Sequence, residues 1–351
     1  MDSAASNHSK DQHILVIRLS AMGDVAMTVP VISVLVNKYP DVVITVLTRS
    51  FFFPLFSHLP NVRLYEADIE GVHSGVLGLG TLAKELRDEE IDVVADLHDV
   101  LRSNILKSVF YLYGIPCEQI DKGRSEKKAL TRENNKVFKP VKSTHQRYAD
   151  VFEKLGYPID LEDYIVPPRR PLLPHIHEVT GKQSQKWLGV APFAQHKSKT
   201  YPEDLMEKVI QQLTEKGNIK VLLFGGGKKE KEQLEQWESK FDNCVSIVGK
   251  LRFTEELSLI SNLDAMLSMD SGNAHMAATY GIPVISVWGV THPYTGFKAF
   301  NQPLENCILP DLEKYPRIPT SVYGNKVPEG YEDVMRSIPP EKIVDKVLEI
   351  L

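Results

Sequence analysis

The residues that could do chemistry gather at a few short stretches. Asp270-Ser271-Gly272-Asn273 ends an apolar run, Ala265 to Met269, and opens an alanine-rich segment that contains His275. The run suits a buried parallel strand, and Ser271, Gly272 and Asn273 supply turn and N-cap chemistry before a helix. Such a turn leaves several backbone N–H groups at a helix N-terminus beyond the carboxyl end of a sheet, a ready site for a phosphate. Plain helix capping would also account for Asp270 and Ser271. His275 shifts the balance, because it falls in the first helical turn among alanines that pack without it.

Two more stretches carry charge at the same kind of position. His13 to Leu19 reads as a strand, and Ser20-Ala21-Met22-Gly23-Asp24 leads from it into an apolar-periodic helix from Val25 to about Lys38. Gly23 permits close approach of a ligand to the backbone, and Asp24 is either a cap or a general base facing the sheet edge. Ser198-Lys199-Thr200-Tyr201-Pro202 follows the strand at Trp187 to Pro192 and precedes a helix. A fixed lysine there could neutralise charge on a departing diphosphate. Gly225-Gly226-Gly227 follows a third strand and fits a tight turn with close approach of a ligand, and Glu230, or alternatively Glu232, stands near the start of the helix that follows.

Basic residues suggest where an acidic partner would bind. Arg102 follows the strand Ile91 to Leu97, and Arg124 and Lys128 stand in a basic loop, Lys122 to Arg132. Arginine binds carboxylates and phosphates bidentately, although a solvated loop would look the same. His145 to Leu155 reads as a helix opening His145-Gln146-Arg147-Tyr148.

Taken together these stretches resemble the heptosyltransferases of lipopolysaccharide inner core, glycosyltransferase family 9. Asp270 to His275 resembles the family's Asp-Ser/Thr-Gly-x-x-His signature, and Ser20 to Asp24 its Ser-x-Met-Gly-Asp motif. Lys199 to Pro202 resembles Lys-x-Trp-Pro with Tyr201 in place of Trp, and Gly289 to Pro293 resembles Gly-x-Thr-x-Pro. The resemblance implies a GT-B fold, two Rossmann-like doubly wound domains facing across a cleft. It implies inverting transfer of heptose from an ADP-heptose donor to a lipid A-linked core acceptor, either Kdo-lipid A or an already heptosylated core. Asp24 would then be the base and Lys199 the second catalytic residue. Gly23, Glu230, Asp270, Ser271, Gly272, Asn273 and His275 would bind the donor, and Arg102, Arg124 and Lys128 the acceptor. A GT-B transferase for another nucleotide sugar, or a noncatalytic nucleotide-sugar binding protein, would share much of this pattern.

The elements that must position these groups fit that expectation. Strand and helix patterns alternate in both halves of the 351 residues, long enough for two domains. The expected divisions are a disordered tail over 1–12, a domain over 13–170, a linker over 171–186 and a second domain over 187–338. A closing amphipathic helix over 339–351 could return to the first domain. A net charge of −5 offers no general field for nucleic acid. Cys117, Cys244 and Cys307 are too few and too far apart for a disulfide framework or a zinc site. No stretch is apolar enough to span a membrane, so a cytoplasmic protein, peripheral at the inner face of the inner membrane, is expected. No metal-ligand spacing is visible and no cofactor is required, with Mg²⁺ on the diphosphate an open alternative. Oligomeric state is not legible.

Overall fold

The computed structural model describes residues 12–351; nearly all of the tail expected to be disordered lies outside them. The strands are β1 His13–Ile17, β2 Val43–Thr48, β3 Val62–Glu66, β4 Val93–Asp96, β5 Cys117–Gln119, β6 Lys186–Ala191, β7 Ile219–Leu223, β8 Cys244–Ser246, β9 Ala265–Met269, β10 Val284–Val287 and β11 Cys307–Ile308. The helices are α1 Met22–Ala26, α2 Thr28–Lys38, α3 Gly75–Arg87, α4 Leu101–Leu112, α5 Arg124–Thr131, α6 Thr144–Lys154, α7 Pro174–Thr180, α8 Glu203–Thr214, α9 Gly227–Lys240, α10 Phe253–Ile260, α11 Gly272–Thr279 and α12 Pro340–Ile350.

Two sheets form, both wholly parallel. One has the order β3-β2-β1-β4-β5 and the other β11-β10-β9-β6-β7-β8. The central strands β1 and β9 are buried along their whole length, as strands covered by helices on both faces must be. The chain divides into two compact units. Unit 1 holds the described residues through Ala21, with Thr28–Lys122 and Gln146–Ile165; unit 2 holds Met22–Met27, Gly123–His145 and Val166–Leu351. Two segments from the first half of the sequence, Met22–Met27 and Gly123–His145, therefore make their contacts in the second unit.

Each sheet has one place where the strand order reverses. In unit 2 it lies between β6 and β9, with Ala191 level with Ser268. Ligands of open α/β sheets bind beyond the carboxyl ends of strands at such a point. The loops leaving these strands are those that carry Lys199 and Asp270.

Several local expectations need correction. The helix expected from Val25 to Lys38 is broken at Met27 into α1 and α2, and α1 packs on α11. The basic stretch expected as a loop folds as α5. In α3 a Cβ at Gly78 would stand 2.4 Å from the His73 carbonyl carbon, so glycine is there for close packing. Helix α10 starts at Phe253, where Glu255 folds back to accept the Arg252 N–H at 2.8 Å. Helix α12, for which a return to the first domain is expected, packs on α8 in unit 2 through Ile343, Val344 and Val347.

Candidate active site

The site in unit 2 is built where two short helices meet at their N-termini. Helix α11 starts after β9, and its N-cap residue Ser271 makes no capping bond, its hydroxyl lying 3.1 Å from Ser268 Oγ instead. No capping bond from Ser271 therefore satisfies the first-turn N–H groups of α11, and the partial positive charge there favours an anion. Against this end lies α1. A Cβ at Gly23 would be 3.3 Å from His275 Cδ2 and 3.4 Å from Gly272 Cα, and one at Gly272 would be 3.2 Å from Met22 Sδ. Glycine at both positions lets the two backbones touch and brings the half-buried Asp24 to the first turn of α11.

Lys199 reaches the same place from the loop after β6. Its Nζ lies 2.9 Å from Asp270 Oδ2, which also accepts the Thr291 hydroxyl at 3.0 Å. Asp270 is 7% exposed and Lys199 16%, so the pair is largely withdrawn from water. Lys199 is thus held in place, with its charge countered by Asp270. Its stem packs on the turn at Gly324, where a Cβ would stand 2.6 Å from Lys199 Cδ, and Ser198 Oγ donates to the Gly324 carbonyl. Tyr201, in place of the family's Trp, is buried and donates its hydroxyl to the Ile338 carbonyl at 2.7 Å, tying the start of α8 to the end of the unit.

His275 is 7% exposed and lies in the combined field of Asp270, Asp24 and Lys199. Burial holds its imidazole down to about 4, outweighing the pull of the two carboxylates, so the ring is neutral near pH 7.

Glu230 stands at the start of α9, 2.8 Å from the Gly226 N–H that it accepts. It lines a cavity of about 780 Å³ with Phe193, Lys197, Thr200, Tyr201 and Arg336, a size that suits a nucleotide. Glu232 lines it too but is exposed and faces Lys228 at 3.9 Å, so Glu230 is the carboxylate held in place.

Unit 2 therefore brings together Gly23, Asp24, Lys199, Asp270, Ser271, Gly272, Asn273 and His275 at the ends of β6, β9 and α1. Arg124 and Lys128 lie exposed on α5 of the same unit. Arg102 is exposed in the first turn of α4 in unit 1, where the buried Asp96 organises the preceding turn by accepting from the His98 and Asp99 N–H groups and from Ser103 Oγ. Among the described residues no group of three or more His, Cys, Asp or Glu is placed to hold a metal ion, and no helix is long and apolar enough to cross a membrane.

Sequence reading missed Thr291 as the second partner of Asp270, Gly324 beneath Lys199, and His145, whose ring centroid lies 6.4 Å from that of His275. Thr291 was within reach, since it is the threonine of the Gly-x-Thr-x-Pro segment. Nothing local marked Gly324, which lies in an irregular stretch.

Two doubly wound α/β units of this kind are those of the GT-B fold, which its structural neighbours share. The chain belongs to glycosyltransferase family 9 (heptosyltransferase), whose family model matches residues 79–323. It is 29% identical to lipooligosaccharide heptosyltransferase 2 of Haemophilus influenzae, over 97% of this chain and 99% of that protein. Among solved structures it is similar to a glycosyl transferase family 9 protein of Veillonella parvula (17% identity, TM-score 0.74, 97% of each chain). It is also similar to ADP-heptose LPS heptosyltransferase II of Escherichia coli (18% identity, TM-score 0.68, 97% of this chain and 98% of that one).

Proposed function

We propose that the protein transfers heptose from ADP-heptose to the inner core of lipopolysaccharide with inversion at the anomeric carbon. The observation that carries this reading is the meeting of Asp24 with the α11 N-terminus and the Lys199–Asp270 pair. A proton acceptor and an anion-holding helix end then serve one substrate. Asp24 takes the acceptor hydroxyl's proton as its oxygen attacks the anomeric carbon. The bond from that carbon to the diphosphate breaks, and ADP leaves onto the N–H groups at Ser271 to Asn273 and the Lys199 ammonium. Glu230 holds the ribose, and the transfer needs no cofactor.

Arg102 in unit 1, and Arg124 and Lys128 in unit 2, are each exposed cations of the kind an acidic, lipid-linked acceptor requires. A peripheral position at the inner membrane surface fits Leu101 and Leu112, which are 77% and 82% exposed on the helix that carries Arg102.

The test is turnover of purified protein with a panel of nucleotide sugars, read as released nucleotide. ADP-heptose should be used with lipid-linked acceptor, and Asp24→Asn should lower kcat by about 10²–10⁴-fold with ADP affinity nearly unchanged. Preference for another nucleotide sugar would reassign the donor. ADP-heptose binding with no transfer to any core acceptor would make the chain a binding protein.

A further inference from the structure

A chain of contacts inside unit 2 runs from the Lys199 stem to the basic helix α5 through two aromatic rings. Tyr323 is 51% exposed, yet it sits on a turn that is firmly held. The Thr320 and Ser321 N–H groups both donate to the Val290 carbonyl, at 2.9 and 3.4 Å, and the Gly324 N–H donates to Ser321 Oγ at 2.9 Å. Val290 precedes Thr291, the partner of Asp270, and Gly324 lies against the Lys199 stem. Tyr323 is thus carried on the turn that backs the Lys199–Asp270 pair. The neighbour of its ring is Phe297, at 5.8 Å between centroids and an interplanar angle of 55°. Lys127 of α5, 5% exposed, places its ammonium 4.3 Å from the Phe297 centroid, where the π face offsets part of its lost hydration. Arg124 and Lys128 flank Lys127 on the same side of the helix, and both are exposed.

A large ring left half open to water forgoes the stabilisation of burial, and a rigid turn that keeps it there leaves little to be ordered when a ligand arrives. The apolar C–H face of a sugar ring packs on such a surface, and acidic substituents of that sugar need cations close by. Transfer requires the acceptor hydroxyl next to the departing diphosphate, and a platform on the turn that backs Lys199 meets that requirement. We propose that Tyr323, backed by Phe297, is the platform for the acceptor's terminal sugar, an acidic pyranose whose anionic group is met by Arg124 and Lys128. The proposal rests on the reading of this site as the place of transfer to an acidic acceptor. Tyr323 is then a binding residue for the acceptor, and its carrier turn is shared with the cation that meets the donor.

The test is calorimetric titration of the full chain with the water-soluble saccharide obtained by deacylating Kdo-lipid A, beside the same phosphorylated backbone without Kdo. The wild-type protein should bind the first. Tyr323→Ala should weaken that binding between about three- and tenfold, the range of one aromatic packing contact, and raise KM for the acceptor in turnover by a similar factor. KM for ADP-heptose, affinity for ADP and the melting temperature should hardly move, which a purely structural role for the side chain would not allow. Tyr323→Phe, which keeps the ring, should behave as wild type. Dependence on Tyr323 for the Kdo saccharide alone marks the anionic group as a carboxylate, and dependence for both saccharides marks it as a phosphate. Absence of binding by the wild-type protein, unchanged affinity in Tyr323→Ala, or equal loss in the Ala and Phe variants would overturn the proposal. The titration needs no donor. Saccharide binding without transfer from ADP-heptose would sink the donor reading and leave the platform, while transfer with unchanged acceptor affinity in Tyr323→Ala would sink the platform alone.

Discussion

At the scale of single residues, the Lys199–Asp270 pair decides most. Two opposite charges this deeply withdrawn attract strongly, but each has lost hydration, so removal of one leaves the other stranded. Lys199→Met should therefore destabilise the fold by about 3 kcal/mol, measured by chemical denaturation. Adding Asp270→Leu should recover most of that stability, because an apolar pair of similar size replaces the ion pair. On the proposed role of Lys199 at the departing diphosphate, activity should not return. If the double variant recovered turnover, the lysine would be a scaffold residue and the departing ADP would be stabilised by the helix end alone.

At the scale of elements, close approach is what assembles the site. A Cβ at Gly289 would stand 2.0 Å from the Ser198 carbonyl oxygen, next to Lys199, and backbone cannot yield as a flexible side chain does. Gly289→Ala should then lower stability by about 1–3 kcal/mol and weaken ADP binding in calorimetry, by moving the Lys199 loop. Gly23→Ala meets His275 and Gly272 at 3.3 and 3.4 Å, a much milder crowding. It should leave the melting temperature nearly unchanged while lowering kcat, because it shifts Asp24 relative to α11. The element scale also shows which signals were local. Strand β9 occupies Ala265–Met269 as its apolar run indicates, whereas β5 and β11, of three and two residues, are too short to carry a pattern. Helix α5 was hidden by its composition: four of its eight residues are charged, and only Lys127 and Leu130 are buried.

Across the whole molecule, buried neutral histidines couple stability to pH. Burial depresses His145 to about 3, and His275 and His292 to about 4, against about 6.5 in the unfolded chain. Between those values the unfolded state binds protons that the native state refuses. Stability should thus be steady above pH 6.5 and decline as pH falls toward 4, by up to about 1.4 kcal/mol per pH unit for each histidine. Scanning fluorimetry from pH 7.5 to 4.5 should show a falling melting temperature, and His292→Gln should make the decline shallower. A melting temperature that rises on acidification would show these rings to be charged in the native protein.

The sequence by itself determined the class of fold and the chemistry on offer. Apolar runs ending in Gly, Ser and Asp state that a strand stops and a helix begins, and the motif around Asp270 carries its meaning within six residues. Only the tertiary structure decided which groups meet. Lys199 finds Asp270 because β6 and β9 are neighbours at the reversal of strand order, and Asp24 finds His275 because α1 leaves its own sheet to pack on α11. Local patterns fix periodicity and turns through short-range sterics and burial. Strand order and helix contacts depend on how whole faces are covered, a property that no short stretch contains.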